Sequence, residues 1–97
     1  MEEVTLLWEE KAKEAARSIY SYLYEGSELY ADSWVDEVDK KLTQLKSFPE
    51  MGRIVPEFNV SFIREVFVGQ YRLVYTYQNN ILTVVTVRSM LQPLGKI

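Results

Sequence analysis

The chain contains no cysteine and no histidine, only four glycines and three prolines, and no long apolar run. Each shortage excludes something. Without cysteine there is no disulfide framework, which fits a cytosolic protein. Without histidine as well, zinc sites built from Cys and His are ruled out, as are Ser-His and Cys-His nucleophilic pairs. Any proton transfer would fall to carboxylates, lysines, tyrosines or Arg-assisted groups. No metal or cofactor is expected. No stretch approaches the roughly 18 apolar residues that a membrane span requires. The opening MEEVTLLWEE is acidic and its apolar part is short, so a signal peptide is not expected. A cytoplasmic protein without a membrane partner is the reading.

What is present is ordinary globular composition: 97 residues, 47% hydrophobic and 26% charged. That length allows one core, so a single domain over residues 1–97 is expected. The net charge of −3 is unevenly divided. Residues 1–48 carry six Lys/Arg against eleven Asp/Glu; residues 49–97 carry five (Arg53, Arg64, Arg72, Arg88, Lys96) against three (Glu50, Glu57, Glu65). Four of the five arginines thus lie in the second half. Arginine suits forked contacts with phosphate or carboxylate.

Residues 4–8, VTLLW, read as a short strand. From Glu9 to Glu25, Ala12, Ala16, Ile19 and Leu23 recur at helical spacing. Gly26 suits a helix end and Ser27 the cap of the next helix. That second helix, 28–47, carries Ala31, Trp34, Val35, Val38, Leu42 and Leu45 on one face, and Phe48-Pro49 ends it. So short a link makes the two helices an antiparallel hairpin. Residues 49–60 read as an ordered connecting loop. Strands follow at 61–68, 71–78 and 81–88, joined by Gly69-Gln70 and Asn79-Asn80 turns that tolerate positive φ. The tail from Ser89 gives no clear signal.

The order β-α-α-β-β-β predicts an α+β fold, an antiparallel sheet with a helical hairpin on one face. Alternation puts Leu73, Tyr75 and Tyr77 under the helices and Arg72 on the opposite face, which would be open to a ligand. Arg72 could instead bond Glu65 across strands. Because Arg64 and Glu65 are adjacent, only one of them shares a face with Arg72.

Four blocks in register, LLWEEKAKEAARSIYSYL, FPEMGRIVPEF, IREVFVGQYRLVY and ILTVVTVRSMLQPL, resemble the RelE/ParE superfamily of toxins from type II toxin–antitoxin modules. The resemblance implies a toxin bound by a cognate antitoxin. RelE-like members cleave mRNA in the ribosomal A site; ParE-like members inhibit DNA gyrase and are not nucleases. On the RelE-like reading, which the Glu57 and Arg72 pair favours, the partners are the ribosome and mRNA. Arg72 would then meet the scissile phosphate, where a fixed guanidinium stabilises developing negative charge. Glu57 would take the 2′-OH proton as general base. Arg64 and Arg53, with Arg88 near the end of its strand, would hold RNA phosphates. Ribosome-dependent mRNA cleavage is the leading reading; the acidic balance of the chain and two departures from the family pattern favour the alternatives, gyrase inhibition or a degenerate chain that only binds antitoxin. Ser89 stands where many members carry histidine, and Leu91 where an arginine is common. Serine cannot supply a proton near neutral pH as imidazole does.

Overall fold

The computed structural model describes residues 3–95, so Lys96 lies outside the described residues. In chain order the elements are β1 (Thr5–Trp8), α1 (Glu10–Gly26), α2 (Glu28–Ser47), β2 (Arg53–Ile54), β3 (Ile63–Val68), β4 (Tyr71–Gln78) and β5 (Ile81–Ser89). The expected helical hairpin and three-strand meander are both present. The helix junction is tight because Ser27 is extended and serves both ends. Its N–H donates to the Leu23 carbonyl at 2.9 Å, closing α1. Its hydroxyl accepts from the Tyr30 N–H at 3.1 Å, capping α2.

Two details differ from the expectation. First, the sheet is mixed. Its strand order is β1-β5-β4-β3-β2, and β1 joins β5 in parallel, with Thr5 opposite Ile81 and Trp8 opposite Val84. The long connection that a parallel pair needs runs through the helical hairpin and the three intervening strands. Second, the 49–60 segment is not wholly loop. Arg53 and Ile54 pair antiparallel with Glu65 and Arg64, adding a two-residue edge strand. Turns at Gly69 (φ 60°) and at Asn79 and Asn80 (φ 53° and 62°) connect the meander, as their residue types predict.

The helices cover one face of this sheet. Ala12 from α1 and Trp34, Val38, Leu42 and Leu45 from α2 pack on Val66, Val68, Leu73, Tyr75, Leu82, Val84 and Val87. The Trp34 indole N–H donates to the Val68 carbonyl at 3.2 Å, so its polar atom is satisfied inside this core. Tyr75 is fully buried beneath the helices, as alternation requires, and burial pushes its phenol pKa up. Its hydroxyl donates to the Pro49 carbonyl at 2.6 Å and accepts from the Gly52 N–H at 3.1 Å.

The opposite face is not open. Val55 from the connecting segment and Leu94 from the tail close over Val74 and Val85, with Phe58 and Ile63 at the margin. A β-bulge makes this possible. Val74 pairs with Thr86 but Tyr75 pairs with Val84, leaving Val85 as the extra residue that turns to this second cluster.

Candidate functional site

The structure collects four of the charged side chains singled out above, Arg53, Glu57, Arg72 and Arg88, on the outer face of the sheet. Cross-strand register sets most of this. Arg53 lies opposite Glu65, Phe67 opposite Arg72, and Arg72 opposite Arg88. Directly paired residues share a face.

Arg72 is at the centre, and it is buried rather than exposed: its relative accessibility is 6%. Its guanidinium makes a fork with Glu57, Nη1 to Oε2 at 2.7 Å and Nη2 to Oε1 at 2.9 Å. On its other edge Nε and Nη2 both lie 2.6 Å from Glu65 Oε1. The remaining Glu65 oxygen accepts from Arg53 Nε at 2.6 Å. Glu65 is itself fully enclosed, and no buried side-chain polar atom among the described residues lacks a partner. Two cations and two anions therefore form one closed network. Burial of the central Arg72–Glu65 pair is tolerable only because each charge is matched and hydrogen-bonded, with exposed Glu57 and Arg53 completing it at either end.

The electrostatics follow from those contacts. The bonds from Arg72 hold the Glu57 carboxyl down to about 2, well below its ordinary value. Reciprocally, the bonds to Glu57 and then Glu65 outweigh burial and raise the Arg72 guanidinium further. Glu57 sits in a turn after Pro56, so its fork also pins the 55–59 segment to the sheet. That turn is closed by the Phe58 and Asn59 N–H groups donating to the Val55 carbonyl, at 3.2 and 2.8 Å.

The other arginines differ in role. Arg53 keeps an exposed guanidinium whose carbon lies 5.0 Å over the Phe67 ring, a cation–π contact. It bridges to Glu65. Arg88 is half-buried, and its Nη1 donates to the Pro93 carbonyl at 3.2 Å, tying the tail down. Arg64 is not with them. It faces the helix side, opposite Tyr75, and its Nη1 donates to the Gly52 and Glu50 carbonyls at 2.9 and 3.2 Å. Its Nε donates to the Ser61 carbonyl at 3.1 Å. Arg64 thus clasps the turn leading into β2 and does not adjoin Arg72.

Alternation left open whether Arg64 or Glu65 shares the face of Arg72; the register gives that place to Glu65, and the Glu65 bridge, the alternative to a ligand site, forms. What alternation missed was the lid. The apolar residues Val55 and Leu94 were the available signal that the flanking segments would close over this face. Among the described residues no group of His, Cys, Asp and Glu side chains could hold a metal ion, and no helix is long and apolar enough to cross a membrane.

Comparison with known proteins agrees with this architecture. No curated protein matches the chain. Among solved structures, a chain from the chromosomal ParDE TA system of P. aeruginosa is similar at a TM-score of 0.69 and 16% identity, covering 89% of this chain and 95% of that one. At that identity the likeness establishes the fold alone. The model of the family described as the ParE toxin of type II toxin–antitoxin system, parDE, matches residues 6–93. That match spans all five strands and both helices, and the chain belongs to the ParE toxin family of type II toxin–antitoxin systems.

Proposed function

We propose that this chain is a ParE-like toxin that inhibits DNA gyrase without cleaving nucleic acid, and that a cognate antitoxin holds it inactive. The observation that carries this reading is the closed state of the Arg72 network. A phosphate-binding arginine must present free donors to substrate, whereas all three guanidinium nitrogens of Arg72 are engaged by Glu57 and Glu65. A general base works best with a pKa near the operating pH, and a carboxyl held at about 2 is a weak proton acceptor there. Ser89 in the position where related nucleases place histidine supports the same conclusion. The family assignment points the same way, since ParE-like members act on gyrase.

One observation favours the second reading, ribosome-dependent mRNA cleavage. Glu57 and Arg72 do meet, at 2.7 Å, as a base and a charge stabiliser in one site would. Substrate would have to open their fork. The two readings part in one experiment. Purified chain is added to a gyrase supercoiling reaction and, separately, to a translation extract whose mRNA is read by primer extension. The proposal expects loss of supercoiling and full-length mRNA. Site-specific mRNA cuts that vanish in Glu57→Gln, with supercoiling untouched, would replace it with the nuclease reading.

A further inference from the structure

Beyond Val84, β5 loses one of its two neighbours. β1 ends at Trp8 opposite Val84, and the Glu9 N–H then donates to the Val84 carbonyl at 3.0 Å. β4 continues on the other side, and register decides which groups it takes. The Met90 N–H donates to the Gln70 carbonyl at 2.9 Å, so the next bonded pairs along the ladder are Arg72–Arg88 and Val74–Thr86. Val87 lies between them and turns its N–H and C=O away from β4, towards the unpaired edge. Among the described residues neither group finds a hydrogen-bond partner, yet Val87 is only 3% accessible. Buried backbone groups without partners are rare, and each costs free energy comparable to a lost hydrogen bond.

Val87 lines a groove of ≈ 690 Å³ between α1 and this part of β5. Small-molecule sites typically span about 300–1,000 Å³. Ala15 and Ile19 of α1 give the groove apolar walls, and Tyr22 and Tyr71 add aromatic ones. The Tyr71 ring is set edge-on against Trp34, with centroids 5.6 Å apart. Lys11 and Arg88 also line the groove, and among the described residues neither takes part in an ion pair. Against these two cations stands one acid, Glu14.

We infer that this groove binds a nucleoside monophosphate, its base edge bonded to the Val87 N–H and C=O and its phosphate held by Lys11 and Arg88. The inference goes beyond the gyrase reading and does not depend on it. A nucleobase presents a hydrogen-bond acceptor beside a donor along one edge, which matches the donor–acceptor pair of a single residue. An extended peptide would need a longer run of edge groups. Here the run is short, because the Val84 carbonyl is taken by Glu9 and the Ser89 carbonyl accepts from the Gln92 N–H at 3.0 Å. Two unpaired cations suit one phosphate group, whose charge is about −2. They are too few for a nucleic acid strand, whose affinity grows with the number of phosphates neutralised. The net charge of −3 opposes such a strand as well. Tyr22 and Tyr71 supply the aromatic contact that any base accepts.

Calorimetry on the full chain takes AMP as its probe. Adenosine, inorganic phosphate and purine riboside monophosphate, which lacks the exocyclic amino group, serve as comparisons. We expect saturable AMP binding, weakened at least about tenfold when the phosphate or the amino group is missing, since each loss leaves a group of the site unpaired. Lys11→Glu changes only an exposed side chain, and a thermal melt verifies that it folds. It should weaken AMP binding at least about tenfold, whereas Lys40→Glu, the same charge change on α2, should leave it within about twofold. In amide NMR spectra of the wild type, the Val87 N–H should move downfield as AMP is added, having gained an acceptor. No AMP binding at millimolar concentration, or equal weakening by Lys11→Glu and Lys40→Glu, would overturn the inference. Phosphate binding as tightly as AMP, purine riboside monophosphate matching AMP, or an unmoved Val87 amide would overturn it too, leaving at most an anion site.

Discussion

The two faces of the sheet are closed by different physics. Under the helices, Leu73, Tyr75, Leu82 and Val84 meet two long amphipathic elements, and apolar contact fills most of the space, with the polar atoms of Trp34 and Tyr75 bonded to backbone. On the outer face only a connecting segment and a tail are available. They bring two apolar residues that become fully buried, Val55 and Leu94. Beside that small cluster the face is closed by charge, with Arg72 bonded to Glu57 of the segment and Glu65 of the sheet. Helices can bury a continuous stripe; an irregular segment has little apolar side-chain area to offer and must also satisfy its own backbone. The outer face should therefore be the more sensitive to charge and pH, and the inner face to volume.

The largest effect should come from breaking the network. Arg72→Ala leaves Glu65 enclosed without its main partner, and removing one member of a buried pair costs about 3–5 kcal/mol. A thermal melt should fall by more than about 10 °C, given roughly 4–8 °C per kcal/mol in a domain of this size. Replacing the pair together, as Arg72→Met/Glu65→Met, should recover much of that loss. A double variant as unstable as Arg72→Ala would mean that charge pairing is not what closes the face.

The inner face yields next. At Gly52 an added Cβ would lie 2.6 Å from the Tyr75 hydroxyl and 2.7 Å from the Glu65 carbonyl oxygen. Gly52→Ala should then cost about 1–3 kcal/mol, as overpacking does. In the same variant Tyr75→Phe should recover little, because the Glu65 backbone is also in the way. Full recovery would assign the clash to the hydroxyl alone.

The pH dependence separates the faces further. Glu57 has a folded value of about 2 against an ordinary 4.5, so its contribution is complete above about pH 4.5. It is lost as pH falls from there towards 2. The melting-temperature gap between wild type and Glu57→Gln should be widest near neutrality and close over that interval. A gap that stayed constant would show that shape rather than ionisation holds the loop. The smallest effect belongs to Arg53, whose side chain is 56% exposed. Arg53→Ala removes an exposed guanidinium but strips the enclosed Glu65 Oε2 of its donor, so it should cost about 1–2 kcal/mol, less than Arg72→Ala, which a denaturant titration would measure.

The sequence by itself determined the two helices, the first strand and the three-strand meander, with their facing, though not the short edge strand β2. Helical spacing of Ala12, Ala16, Ile19 and Leu23, alternation through 71–77, and Asn79-Asn80 act within a few residues, so they are legible without the fold. The same alternation put Tyr75 beneath the helices and only one of Arg64 and Glu65 beside Arg72; the register of β3 on β4 decided that it is Glu65. Tertiary structure decided everything carried by distant segments. Trp8 and Val84 become parallel neighbours only when the helical hairpin folds back. Glu57 reaches Arg72 only after β2 has placed the intervening turn. Alternation states which way a side chain points, but not what comes to cover it. Arg72 therefore read as a free cation in the chain and is a buried, doubly paired one in the protein.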